Sequence, residues 1–147
     1  MVLGDRDAAG VLGPRMAPLS GLLHTEANVI YNIGRICGGA AVLLGEPEKA
    51  RGYYRQALEV CTRARFRPEL ALTRLQLAEL LLEEAGSPQH SAISPPPDPS
   101  EGQGKLTADQ LMAEGLEHLD FAITGFREMK MQPSLERALK HKGLLHA

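Results

Sequence analysis

The stretch EGLEHLD places Glu114, Glu117, His118 and Asp120 within two helical turns. Glu114 and His118 are four residues apart, so they share one helix face, the spacing at which a carboxylate and an imidazole can meet one metal ion. Metal sites in helical bundles also need a second Glu-x-x-His copy on a facing helix. His141, with Glu136 and Arg137 around it, lacks that spacing. A solvated helix face therefore accounts for the group, and the one catalytic alternative is a small helical-bundle enzyme or phosphotransfer domain using His118. EGQGKLT (Glu101–Thr107) resembles a phosphate-binding loop, whose glycines let backbone amides cradle phosphates while a hydroxyl meets the magnesium ion. Here Pro99 stands at the first glycine position and Leu106 at the hydroxyl position. Cys37 and Cys61 form no Cys-x-x-Cys pair and have no activating partner nearby in sequence, so both read as buried free thiols acting as small hydrophobes. Arg63, Arg65, Arg67 and Arg74 cluster around a single aromatic, Phe66. That is a small footprint for nucleic acid, and cations in the last turn of a helix are explained by its dipole. The residues indicate no enzyme, no metal site and no cofactor.

Composition agrees. Aromatic residues are 4% of the 147 and Trp is absent, so the core must be built from Leu, Ala, Val and Met, which favours helix over strand. A net charge of −2 gives no bulk electrostatic reason to bind nucleic acid or an anionic membrane. No apolar run approaches the ~18–20 residues that span a bilayer. Asp5, Arg6 and Asp7 lie where a signal peptide would need an apolar core. With free thiols, these features predict a cytoplasmic protein.

The elements that position these residues are marked by repeats. LGDRDAA (Leu3–Ala9) and LGEPEKA (Leu44–Ala50) share one pattern, and Gly4, Gly45 and Gly86 are each 41 residues from the next. Each glycine follows an apolar run, which suggests a helix stop in the left-handed conformation. Pro47, with Glu46 and Glu48, then suits the next helix start. A second repeat aligns ALEVCTRARFRPELA (Ala57–Ala71) with AITGFREMKMQPSLE (Ala122–Glu136) at a separation of 65. Residues 86–106 between these copies are dominated by Pro, Ser and Gly and read as a disordered insertion.

The predicted layout is a single helical-repeat domain over residues 1–147. A partial first repeat, 3–19, is weakened as a helix by Gly10, Gly13, Pro14 and Pro18. One repeat covers 25–65, with helices over Thr25–Leu44 and Pro47–Arg65. The next covers 68–129, with a helix over Pro68–Ala85, the flexible insertion 86–106, and a helix opened by the capping box TADQ at Thr107–Gln110. A terminal helix covers 133–145. Within the first long helix, Gly34, Gly38 and Gly39 each cost about 1 kcal/mol relative to Ala. Gly34 and Gly38 share a face, with Cys37 and Ala41 beside them. A small face lets another helix approach closely, and Ala50, Tyr54 and Ala57 supply the matching small–large–small surface.

These residues resemble the tetratricopeptide repeat. Gly38, Gly45, Ala50, Tyr54 and Ala57 fill its positions in order, while Gly115, Leu119 and Ala122 repeat the second-helix pattern more loosely. The family's repeat is about 34 residues, so a period of 41 implies longer helices. LGDRDAA, LALTRLQLAELLLEE and FREMKMQPSLERALKHK together resemble the helical C-terminal arrays of large bacterial signalling ATPases, those attached to adenylyl-cyclase or LuxR-type modules. The resemblance implies an all-α superhelix of antiparallel helix pairs, acting as a protein–protein interaction or regulatory sensor module, a C-terminal fragment of such a regulator. The alternative is a stand-alone structural or oligomerisation adaptor. It further implies a concave groove lined by Asn32, Arg35, Thr73 and Gln76, a protein or peptide partner, and a tendency to self-associate, with no direct contact to nucleic acid or membrane.

Overall fold

Prolines open the helices. Pro47 and Pro68 lie at the first or second helical positions, where the N–H that proline lacks has no intrahelical acceptor. The computed structural model describes residues 3–26, 29–87 and 106–145. The described residues form α1 (Leu3–Met16), β1 (Leu23–Glu26), β2 (Val29–Asn32), α2 (Ile33–Leu44), α3 (Pro47–Arg63), α4 (Arg67–Gly86), α5 (Ala108–Glu128) and α6 (Gln132–Leu145). The chain is thus mostly helical. The expected insertion falls largely on 88–105, outside the described residues, as does most of the EGQGKLT segment.

Two expectations near the N-terminus are corrected. The helix predicted from Thr25 begins only at Ile33, and an antiparallel hairpin pairing Leu23 with Asn32 and Thr25 with Ile30 precedes it. Ile30 and Tyr31 are β-branched and aromatic, and Asn32 in extended backbone accepts from the Arg35 N–H, so it caps α2 rather than continuing a helix backwards. The weakened segment 3–19 is helical to Met16, with a 3-10 turn over Ala17–Leu19. A Cβ on Gly13 would meet Ala40 at 3.8 Å, so α1 lies directly on α2, and that packing offsets its poor propensity.

The 41-residue glycine rule holds at one site. Gly45 is left-handed, with φ 76°, and closes α2 through Glu46 N–H donating to Ala41 at 2.9 Å. Gly4 and Gly86 instead lie within helices. The 65-residue repeat is conformational as well as sequential. Arg65 (φ 52°) and Lys130 (φ 56°) are both left-handed. Phe66 N–H donates to Cys61 and Met131 N–H to Phe126, at 3.0 and 2.9 Å. The capping box at α5 forms in both directions: Gln110 N–H donates to Thr107 Oγ1, and Thr107 N–H donates to Gln110 Oε1.

Successive helices from α2 onward pack antiparallel. Asn32 meets Cys61 at one end of the α2–α3 pair, and Gly38 meets Tyr54 further along. A Cβ on Gly38 would lie 2.6 Å from Tyr54 Cδ1 and 2.9 Å from Cζ, with Cε1 nearer still. The expected small-against-large interlock is present. Two apolar clusters follow. Ala41, Ala50, Tyr54 and Leu77 join α2, α3 and α4, whereas Leu75, Leu119, Phe126 and Ala138 join α4, α5 and α6. Helix α4 contributes to both and is buried on most sides, which is why LALTRLQLAELLLEE is apolar around the helix.

Candidate functional site

Glu69, in the first turn of α4, binds the start of α2. Its carboxylate accepts from Asn32 N–H at 3.0 Å, from Arg35 Nε at 2.8 Å and from Arg35 Nη2 at 2.9 Å. Glu69 is 3% exposed, so this two-pronged pair lies in the interior. The Asn32 amide donates to the Ala57 carbonyl and to Cys61 Sγ, both at 3.2 Å. Thr73 donates its hydroxyl to the Glu69 carbonyl at 2.7 Å. Asn32 and Thr73 are both fully buried. They do not face a groove, contrary to their mapped positions, because the hairpin turns Asn32 inward and Thr73 lies between packed helices. Arg35 reaches the surface only partly and is held by Glu69. Gln76 alone of the four lines an open groove.

That groove, of about 580 Å³, runs across α2, α4 and α6. Val42 and Leu43 of α2 stand 37% and 47% exposed on its wall, and Leu80 of α4 lies in its floor. Gln76 lines it with Oε1 buried and, among the described residues, without a hydrogen-bond partner. On the α6 side, Arg137 Nε donates to Glu79 Oε1 at 2.7 Å, and His141 Nε2 lies 2.9 Å from the same oxygen. Tyr54 lies beneath. Burial, and then the Glu79 carboxylate, push its hydroxyl up to about 12, so it stays a neutral phenol. The groove therefore offers aliphatic contact along one wall and fixed polar groups along the other.

His118 is occupied otherwise. Arg74 Nη1 donates to its Nδ1 at 3.1 Å, Nε2 faces Glu114 Oε1 at 3.7 Å, and the ring is mostly buried. Burial and the Arg74 charge lower its pKa, against the raising effect of Glu114 and Glu117. Arg74, half-buried, also stacks over Phe121, 4.0 Å from the ring centroid, so one of the four clustered arginines is held against α5. Arg67 pairs with Glu128. Cys37 and Cys61 are free and buried, and burial raises both thiol pKa values. Among the described residues no three His, Cys, Asp or Glu side chains are gathered to hold a metal ion.

No known protein family, curated protein or solved structure matches this chain. No described helix is long and apolar enough to cross a membrane. The groove's charged side was not predicted: Glu79 and His141 are 62 residues apart in sequence. Its sequence signal is faint, since Arg137 and His141 share a helix face only once α6 is placed. Glu69 gives less signal still, because an acid in a helix's first turn is already explained by the dipole.

Proposed function

We propose that the chain is a non-catalytic protein–protein interaction module that takes a partner's segment along the groove of α2, α4 and α6. The observation that carries this reading is the pair Val42 and Leu43, exposed side by side on the groove wall opposite the fixed Glu79–Arg137–His141 group. A helix or an extended segment with aliphatic side chains gains apolar contact on one side and a polar edge on the other. The architecture assumed is the tetratricopeptide-like superhelix, with α2–α3 and α4–α5 as pairs and α6 opening a third. In that arrangement α2, α4 and α6 form the inner layer. A place in the C-terminal array of a bacterial signalling ATPase, in the cytoplasm, belongs to the same reading.

The test is a peptide-library selection on the whole chain, followed by amide shift mapping of the selected peptides. Shifts concentrated at Val42, Leu43, Gln76 and Glu79, with binding lost in Leu43→Glu, are expected. Selected peptides that bind Leu43→Glu unchanged, or shift only amides outside the groove, would overturn the reading.

A further inference from the structure

The groove continues beyond its aliphatic wall. Val42, Leu80 and Glu83 also line a second hollow, of about 390 Å³, where α2 stops, α3 starts and α4 ends. Its charged lining among the described residues is Glu48, Glu83 and Glu84 against the single guanidinium of Arg51. Three carboxylates facing one cation leave negative charge in excess. Arg51 is 8% exposed and donates to Glu48, while its Nε faces Glu84 Oε2 across 3.8 Å. Both of those atoms are buried, and neither has a hydrogen-bond partner among the described residues. Glu83 is exposed and forms no ion pair among the described residues. Glu48 lies in the first turn of α3, where the helix dipole favours an acid. Glu83 and Glu84 have no such explanation. They lie in the last turn of α4, where the dipole disfavours negative charge, and that turn carries no base. A residue type at odds with its local structure marks a place selected for something other than stability.

We propose that this hollow takes a lysine or arginine side chain of the segment held in the groove, so that the partner's segment is aliphatic along one stretch and basic at one end. The inference rests on the groove reading for the rest of that segment. The hollow matches the two parts of such a side chain. Val42, Leu80 and Leu106 offer apolar contact to the methylene stem. Glu83 and the unpartnered Oε2 of Glu84 supply acceptors for the cationic head. Complementary charge of this kind steers encounter and rejects wrong partners. An anionic group, which Arg51 alone would attract, meets the surplus of carboxylates instead. The groove's other cation, Arg137, is already tied to Glu79, so it does not cancel that surplus.

Amide shift mapping on the whole chain tests this with Nα-acetyl-lysine methylamide, its norleucine and glutamate counterparts serving as controls. The lysine compound should shift Glu83, Glu84 and Ser87, and the controls should not. Among peptides selected for the groove, a lysine or arginine should recur at a fixed spacing from the aliphatic residues. Replacing it by norleucine should weaken binding about 10-fold or more. Glu84→Gln should cause a similar loss and leave the norleucine peptide unaffected. Glu83→Gln, at an exposed side chain, should weaken the lysine peptide while raising the urea midpoint, because an acid leaves the end of α4. Asp109→Asn, at an exposed acid of α5, should leave binding unchanged. Peptides bound along Val42 and Gln76 without basic preference, with no shift from the lysine compound, would overturn this proposal and leave the groove reading standing. A lysine compound that shifts Glu84 when no peptide can be selected would uphold the hollow as a cation site and sink the groove reading. Shifts of the same amides by the glutamate compound, or by raising the concentration of the chain alone, would overturn the proposal by making an anion or a second copy the occupant.

Discussion

Gly38→Ala tests the interlock between α2 and α3. In an open helix interior this change stabilises by about 1 kcal/mol, because Ala gives up less backbone freedom. At Gly38 the new methyl group enters space held by three atoms of the Tyr54 ring, and Tyr54 is only 2% exposed. The ring is enclosed, so relief requires α2 to move away from α3. Overpacking of this kind costs about 1–3 kcal/mol. With three atoms inside normal contact, the upper part of that range applies, and the net loss is about 1–2 kcal/mol. Gly52 is the internal control. It sits in α3 with nothing within 4 Å of an added Cβ, so Gly52→Ala should stabilise by about 0.5–1 kcal/mol. At this chain length the two variants should move Tm in opposite directions, by roughly 5 °C down and roughly 3 °C up. Urea unfolding followed by circular dichroism measures both. Adding Tyr54→Leu removes the ring, so the double variant with Gly38→Ala should lose about 1–3 kcal/mol less than the two single losses combined. If Gly38→Ala matched Gly52→Ala in gaining stability, the ring would be free to yield and the close approach of α2 to α3 would not depend on glycine.

Three further outcomes are expected. Glu69→Ala strips the acceptor from Arg35 and from the buried Asn32 N–H and should cost about 3–5 kcal/mol in urea unfolding; Glu69→Gln, which keeps an acceptor, should cost less. Arg65→Gly and Lys130→Gly each relieve a left-handed backbone at a non-glycine residue, a net gain of about 0.5–1 kcal/mol after glycine's entropy, and their effects should add because the turns are distinct. His118 has its pKa lowered by burial and by Arg74, so the folded state favours the neutral ring. Its contribution to stability is therefore full above the usual imidazole value of about 6.5 and declines as pH falls from there through the folded value. His118→Gln should flatten that part of the stability–pH curve relative to the parent, and an unchanged slope would show that His118 is not responsible.

Much of the helical layout was legible because its signals are local. Pro47, Pro68 and the Thr107–Gln110 box mark helix starts within one turn, and the Gly38–Tyr54 match follows from residue size at helical spacing. The 65-residue repeat was legible as sequence, and its left-handed turns at Arg65 and Lys130 explain why the spacing is conformationally fixed. The hairpin was not legible because its short strands carry too few residues for period-two alternation to stand out beside helical spacing. Misplacing that boundary also misassigned Asn32, which became a cap and an interior hydrogen-bonding group. The ties of Glu69 to Arg35 and of Glu79 to Arg137 depend on which helices become neighbours. No local pattern encodes that, and only Gln76 of the expected groove residues lines the observed groove.

Helix α4 is a wall common to both apolar clusters, and this bears on how the molecule comes apart. In an array whose units each own their core, an end unit can melt while the rest persists. Here loss of α4 opens Leu77 on one side and Leu75 on the other, so the helices flanking it lose their core together. Opening of α4 is then close to global, and its amides should be among the slowest to exchange with solvent. A copy that has lost α4 therefore presents the helices flanking it to proteases together, rather than one at a time.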